Sequence, residues 1–455
     1  MNISLTLSEF FSKGSTRTLA AKKNVAGSFM VKIFSMAISF IIVPLTINYI
    51  NPTQYGIWLT LTSMVGWVSL FDVGLTQGLR NKFAEAKAKH DINLARIFVS
   101  TTYFYISILF LAVWVLLVVV NSFVDWSSLI NVPIVMDSEI RMLTSIIITY
   151  FCLQFIFQVI KTILIADQKP AVASLIDLIG QFSSLVIIWL LTIFTDGSLI
   201  LLGLGIGVFP VLILIGANIY LFYTAYNDVV PSLKFVHKEY RNQLMGLGLK
   251  FFVLQLAAMI QYSSSLFLIA RYFTPDDVTA YNIAFKYFLT LQGIYMIILS
   301  PLWSSSTDAY FSGDYDWIKR AVKKYLLILV PFVLLGLVML LFCNQFYDLW
   351  LGEGVVQIDF KISLLCFVFF ILGMFASIFV NVINGIGALR VQFYVSVVTA
   401  VGFIVLSLLF ILVLEWGVWS IILASIISNV YGYLFAPIQL YNILVVRNTT
   451  SIWFK

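Results

Sequence analysis

Twelve stretches of about twenty residues, each nearly free of charge, fix what this chain can become. Crossing roughly 30 Å of hydrocarbon takes about 20 apolar residues at 1.5 Å rise. Every backbone polar group must be paired inside lipid, which leaves helices and closed barrels as the spanning structures. Barrel strands alternate apolar and polar residues over about ten positions, whereas these runs are continuous. The expectation is an all-α polytopic membrane protein with about twelve transmembrane helices. Composition excludes an ordinary soluble domain, because 11% of the residues are charged against roughly 25% in soluble proteins.

The spans are expected near Val25 to Ile47, Tyr55 to Gly78, Ile97 to Val120, Ile140 to Ala166, Ala171 to Phe194 and Leu199 to Tyr223. A second set is expected near Leu244 to Ala270, Val278 to Ser304, Val322 to Cys343, Ile362 to Gly385, Val391 to Leu414 and Val418 to Val445. The layout is a segment 1–24, a six-helix bundle 25–223, a linker 224–243, a second six-helix bundle 244–446 and a tail 447–455. Lysine and arginine favour cytoplasmic loops. One side carries twenty-one of them, from Lys13 through Arg80, Lys82 and Lys319 to Lys455; the other has Arg141, Arg271 and Lys361. Both termini are therefore expected in the cytoplasm. The bias also supports twelve spans, since one missed span would invert every loop after it.

A weak internal echo links the halves. Asn51-Pro52 before Tyr55-Gly56 resembles Thr274-Pro275 before Ala280-Tyr281, and a basic stretch precedes the third span of each half. Six spans per half would keep both in one orientation, enclosing a central cavity. Met1 to Lys23 lacks a short apolar core ending in a cleavage site, so no removable signal peptide is expected and the first span stays in the mature chain. Cys152, Cys343 and Cys366 read as small buried packing residues, with a disulfide between Cys343 and Cys366 as the alternative. His90 and His237 have no carboxylate or thiol at ligand spacing, so no metal site is expected.

Apart from the cations already assigned to the two membrane faces, five charges lie inside spans: Lys32, Asp72, Lys161, Asp177 and Lys286. Each costs roughly 2.5–3.5 kcal/mol at a helix centre, so such groups face protein or water. They sit on polar stripes at helical spacing: Ser28, Lys32, Ser35 and Ser39; Gln154, Gln158 and Lys161; Ser174, Asp177, Gln181 and Ser184; Asn282, Lys286 and Gly293; Ser377, Asn381 and Asn384. Lys161 and Asp177 fall at one depth and suit an ion pair across the fourth and fifth spans. Asp72 lies near enough to Lys32, Arg80 or Lys82 to fix a helix end, and a coupling role is the alternative for both aspartates. Lys32 and Lys286 are too deep to snorkel freely; each is either neutralised locally or free for a ligand. Three lysines against two aspartates make a net positive interior, which suits an anion such as phosphate.

The residues YGIW from Tyr55 and LFDVGLTQGLRNKFAEA from Leu70, followed by a basic loop and the third span, resemble the polysaccharide-biosynthesis flippases of the multidrug/oligosaccharidyl-lipid/polysaccharide exporter superfamily, the Wzx-type translocases of O-antigen and capsule. The resemblance implies two helical bundles in a V around a cationic cavity. It also implies export of undecaprenyl-pyrophosphate-linked oligosaccharide across the bacterial inner membrane, with Lys32 and Lys286, and Lys161 beside them, as cavity cations. Arg80 and Lys82 would lie at the cytoplasmic entrance, where anchoring to anionic lipid is the competing role.

A drug or cation exporter of the same superfamily is the first alternative, and it would use Asp72 or Asp177 to bind cations. A membrane polymerase or glycosyltransferase is the second, but the longest external loop, Asn121 to Glu139, carries three acids and no arginine before Arg141. No GxxxxGK[ST] motif occurs, so no ATP site or other cofactor is expected and the energy source would be an H+ or Na+ gradient, or consumption of the product. The expected partners are lipid-linked oligosaccharide, bilayer lipid and polysaccharide assembly machinery, with no nucleic acid.

Overall fold

The computed structural model describes residues 16–67, 75–167, 169–240, 264–388 and 390–446, and among these every regular element is helical. Among the described residues, ten helical stretches are long and apolar enough to cross a membrane, from Met30–Ile50 to Trp419–Val446, which makes this a multi-pass membrane protein. The other two expected spans, 55–78 and 244–270, run through residues outside the described set. Apolar side chains point outward in rows that only lipid can satisfy. Ile108, Leu111, Val115 and Val119 are all exposed along one face of Ile92–Phe123, while Phe98, Ile106, Phe110 and Val113 are buried on the other.

The chain folds as two compact units, residues 1–51 with 65–253, and residues 52–64 with 254–455. The first contains α1 (Thr16–Ile50), α3 (Leu75–Ala88), α4 (Ile92–Phe123), α5 (Asp137–Phe157), α6 (Val159–Ala166), α7 (Pro170–Phe194) and α8 (Leu199–Tyr223). Helix α7 packs on α1 and on α8, and α5 lies between α8 and α4. Because lipid offers no hydrophobic drive for helices to associate, close packing of small residues supplies the attraction. Helix α8 meets this with Gly203, Gly205 and Gly207, and the ring of Tyr150 on α5 occupies the space that a side chain at Gly207 would need. The expected fourth span is interrupted at Gln158, so Lys161 sits on a separate short helix.

The second unit includes most of α2 (Pro52–Gly66), then α9 (Pro275–Leu299), α10 (Pro301–Phe311), α11 (Tyr315–Leu341), α12 (Cys343–Leu351), α13 (Phe360–Ile386), α14 (Arg390–Leu412) and α15 (Trp419–Ser428). Its hub is α13, which touches α9, α10, α11 and α15 and centres a core of Met374, Ile378, Val382 and Ile383 with Leu291 and Tyr295. The expected eighth span breaks at Ser300 because Pro301 lacks an N–H and restricts the preceding residue. The twelfth is α15, a π-helical turn Tyr431–Phe435, α16 (Ala436–Tyr441) and a second π-helical turn Asn442–Val446. Pro437 cannot donate to the carbonyl one turn back, so the hydrogen-bond ladder slips just before it.

The two X-Pro turns of the sequence echo both become helix starts, with Pro52 and Pro275 at first positions. Asn51 takes φ +83° before α2, and Thr274 with Asp277 forms a capping box on α9. The turns meet: Thr53 Oγ1 donates to Asp276 Oδ1 at 2.7 Å and Thr279 Oγ1 to the Pro52 carbonyl at 2.7 Å. Gly56 lies directly against the Pro275 carbonyl. The three cysteines are free and buried.

Candidate functional site

Three of the polar stripes come together within the first unit. Lys161 Nζ donates to Asp177 Oδ1 at 2.7 Å, with the lysine side chain 17% exposed and the carboxylate 49% exposed. Four residues further along α7, one helical turn, Gln181 Oε1 accepts from Ser35 Oγ at 2.5 Å, which ties α7 to α1. Ser39, Gln154 and Gln158 are half-buried, and Ser184 is buried with its hydroxyl turned back to the Gly180 carbonyl. Helical spacing explains the gathering, since positions four apart share a face.

Lys32 and Lys286 differ from Lys161: neither has an ion-pair partner among the described residues. Lys32 is exposed on α1 and Lys286 is half-buried on α9, one turn from Asn282. On α13, Asn381 Nδ2 donates to the Ser377 carbonyl at 2.7 Å, and the buried Asn384 Oδ1 has no hydrogen-bond partner. Asp72 and the side chain of Ser28 lie outside the described residues. On α3, Arg80 is exposed, while Lys82 bonds Glu85 at 2.8 Å and Lys89 bonds the same carboxylate at 2.7 Å. These two ammonium groups lower the Glu85 pKa to about 2.

Sequence reading missed a second charged cluster in this unit. Asp167, between α6 and α7 and only 5% exposed, receives Lys87 from α3, Lys169 at 2.7 Å and the Tyr226 hydroxyl at 2.8 Å. Lys169 also lies over the Tyr226 ring at 5.2 Å. Nothing in the local sequence separates Asp167 from a solvated loop acid, because its partners come from three chain segments. The residues that follow Tyr226 are pinned similarly: Arg96 donates to the Val230 carbonyl at 3.0 Å and stacks over Phe235.

The second unit holds a cavity of about 670 Å³ between α9, α13, α14 and the π-helical turn. Ser377 of the predicted α13 stripe lines it, together with Gln292, Gln392 and Asn429, which sequence reading did not single out. Their isolation within apolar helices was a usable signal, but the break after α15 that brings Asn429 in was not legible.

Known proteins agree on where this chain belongs. The family described as polysaccharide biosynthesis protein matches residues 21–306, more than half of the chain. A candidate O-antigen export protein of Yersinia pseudotuberculosis is 22% identical over 66% of this chain and 67% of its own length. A candidate O-antigen transporter of Shigella flexneri is 22% identical over 82% of this chain and 87% of its own length. Among solved structures, the lipid II flippase MurJ has a TM-score of 0.71 at 13% identity, covering 95% of this chain and 94% of that one. An inward-facing MATE-family transporter has a TM-score of 0.70 at 14% identity, covering 94% and 99%. At such identities the likeness is one of fold alone, and the family match makes the assignment: the chain is a member of the polysaccharide biosynthesis protein family.

Proposed function

We propose that the protein is a flippase that carries undecaprenyl-pyrophosphate-linked oligosaccharide repeat units, precursors of O-antigen, capsule or exopolysaccharide, across the bacterial inner membrane with both termini in the cytoplasm. The observation that carries this reading is the family match over residues 21–306, supported by relatives named for O-antigen export and transport. Those relatives are named as transporters, and the chain is read as a transporter rather than an enzyme. Lys32 and Lys286 are the headgroup contacts in this reading, because they are the in-span lysines without an ion-pair partner among the described residues. A lysine serves phosphate as a point charge and needs no fixed plane. Lys161 is held by Asp177 and contributes a structural link first.

Transport would proceed by alternating access, in which substrate binds one conformation better than the other and so shifts the population. The polar head crosses inside protein while the polyprenyl tail stays in lipid, and an H+ or Na+ gradient, or consumption of the flipped product by assembly machinery, sets the direction. The test is complementation of a strain lacking its own flippase for the cognate glycan. The wild-type gene is expected to restore surface polysaccharide, and Lys32→Ala with Lys286→Ala, at equal abundance, to abolish most of it. Full restoration by the double variant would remove the two lysines from the mechanism. Failure of the wild type, with lowered drug susceptibility of the host, would replace the reading with drug export.

A further inference from the structure

The cavity in the second unit has a chemistry opposite to that of a phosphate site. No Asp, Glu, Lys, Arg or His occurs among the described residues that line it. Its polar side chains are Gln292, Gln392 and Asn429, Ser377, Ser396 and Thr399, with Tyr431 and Tyr433, set among aromatic rings from α9 and α13. At about 670 Å³ it falls inside the range of roughly 300–1,000 Å³ typical of small-molecule sites, which combine an apolar lining with a few convergent polar groups.

Three details mark it as a built site. Gln392 lines the cavity, yet its buried Oε1 has no hydrogen-bond partner. An unpaired buried acceptor costs about 1–3 kcal/mol, a cost that a ligand with hydroxyls would remove. Gly373 on α13 leaves room for the Gln292 carboxamide, whose Nε2 would stand 3.0 Å from a side chain there. Finally, the wall beyond Asn429 is the π-helical turn Tyr431–Phe435, and single π-helical turns inside α-helices recur at functional sites. Its Gly432 packs against Ala376 of α13, while the Tyr431 hydroxyl is fixed on Gln439 at 2.9 Å.

From these features we infer that the cavity is a subsite for an uncharged sugar ring of the transported lipid-linked oligosaccharide, separate from the lysines that meet its pyrophosphate. The inference rests on the flippase reading above. A pyranose presents hydroxyls to the carboxamides and an apolar face to the rings of Phe285 and Phe369. An acyl or prenyl chain would fill the volume but leave Gln392 unpaired. Sites built to hydrogen-bond a hydroxyl reject ligands that lack it for this reason.

The test compares two probes on the purified full-length protein: undecaprenyl pyrophosphate carrying one N-acetylhexosamine, and bare undecaprenyl pyrophosphate. The wild type is expected to bind the sugar-bearing lipid about tenfold more tightly, one lost hydrogen bond's worth of about 1.4 kcal/mol. Gln392→Leu, and independently Thr399→Val, are expected to erase that difference without weakening the affinity for the bare lipid or lowering the thermal midpoint. Equal affinities in the wild type, or variants that keep the difference, overturn the subsite and leave the flippase reading standing. Tighter binding of both lipids to Gln392→Leu overturns it in favour of a chain-binding pocket. If the wild type binds neither lipid, the flippase reading falls and the subsite falls with it.

Discussion

The two compact units are stitched by different chemistry. In the first, charges link one helix to another: Lys161 to Asp177 between α6 and α7, and Asp167 to Lys87 of α3 and Lys169 at the head of α7. In the second, links between helices run mainly through neutral groups. Thr307 donates to the Gly385 carbonyl at 2.8 Å, Tyr287 to the Met339 carbonyl at 3.2 Å and Gln439 to the Ala388 carbonyl at 2.9 Å, and the Lys319–Asp316 pair stays within one helix. Charged links respond to whatever changes protonation or pairing, whereas neutral close packing responds to volume. The links of the first unit are thus sensitive to charge, and those of the second to shape and volume.

The largest effect is expected where volume alone is changed in the second unit. Gly56→Ala drives a methyl group into the Pro275 carbonyl, and a backbone oxygen cannot rotate aside as a flexible side chain can. Overpacking costs about 1–3 kcal/mol and occasionally more, which exceeds the roughly 1 kcal/mol that alanine gains over glycine inside a helix. The purified protein should lose several degrees of thermal stability. Gly216→Ala on α8, where a methyl group meets open space, should be neutral or slightly stabilising. If both variants melt alike, the second unit does not depend on close fit and the contrast is broken.

Much of this architecture was legible because the hydrophobic pattern is strong and lipid leaves the backbone few choices. Ten of the expected spans appear as long apolar helices, and helical spacing alone brought Lys161 to Asp177 and Ser35 to Gln181. Breaks inside apolar runs were not legible. The turn at Gln158 and the π-helical turns around Pro437 leave the hydropathy unchanged. Clusters assembled from distant segments were hidden for a different reason. Asp167 is surrounded by Lys87, Lys169 and Tyr226, and no period in the sequence relates these positions.

The charged cluster around Asp167 gives the next largest effect. Asp167→Asn removes the carboxylate that pairs with Lys87 and Lys169, and breaking a buried pair from one side leaves the partner uncompensated. Both lysines are about half exposed, so water screens part of the loss, and about 1–3 kcal/mol is expected in chemical denaturation. Adding Lys87→Met should recover part of it. No recovery would mean that Asp167 acts through Lys169 and Tyr226 and not through Lys87. A smaller loss, about 1–2 kcal/mol, is expected for Lys161→Met, because Asp177 is 49% exposed and retains access to polar surroundings. The exchange Lys161→Asp with Asp177→Lys should restore stability, and a failure to do so would show that position-specific contacts, not charge, join α6 and α7.

The smallest effect is expected at Glu85, where the charges are all at the surface. Lys82 and Lys89 lower its pKa from 4.5 to about 2. A carboxylate whose folded pKa is depressed stabilises the fold fully above its unfolded pKa and loses that contribution as the pH falls through the folded value. The window is therefore between pH 4.5 and about 2. Near neutral pH, Glu85→Gln should leave the thermal midpoint almost unchanged, since exposed pairs gain little over their solvated components and are weakened further by salt. Below pH 4.5 the wild type should approach the variant. If Glu85→Gln instead destabilises as much as Asp167→Asn at neutral pH, exposure does not rank the charged links of the first unit, and the difference between its surface and its buried pairs disappears.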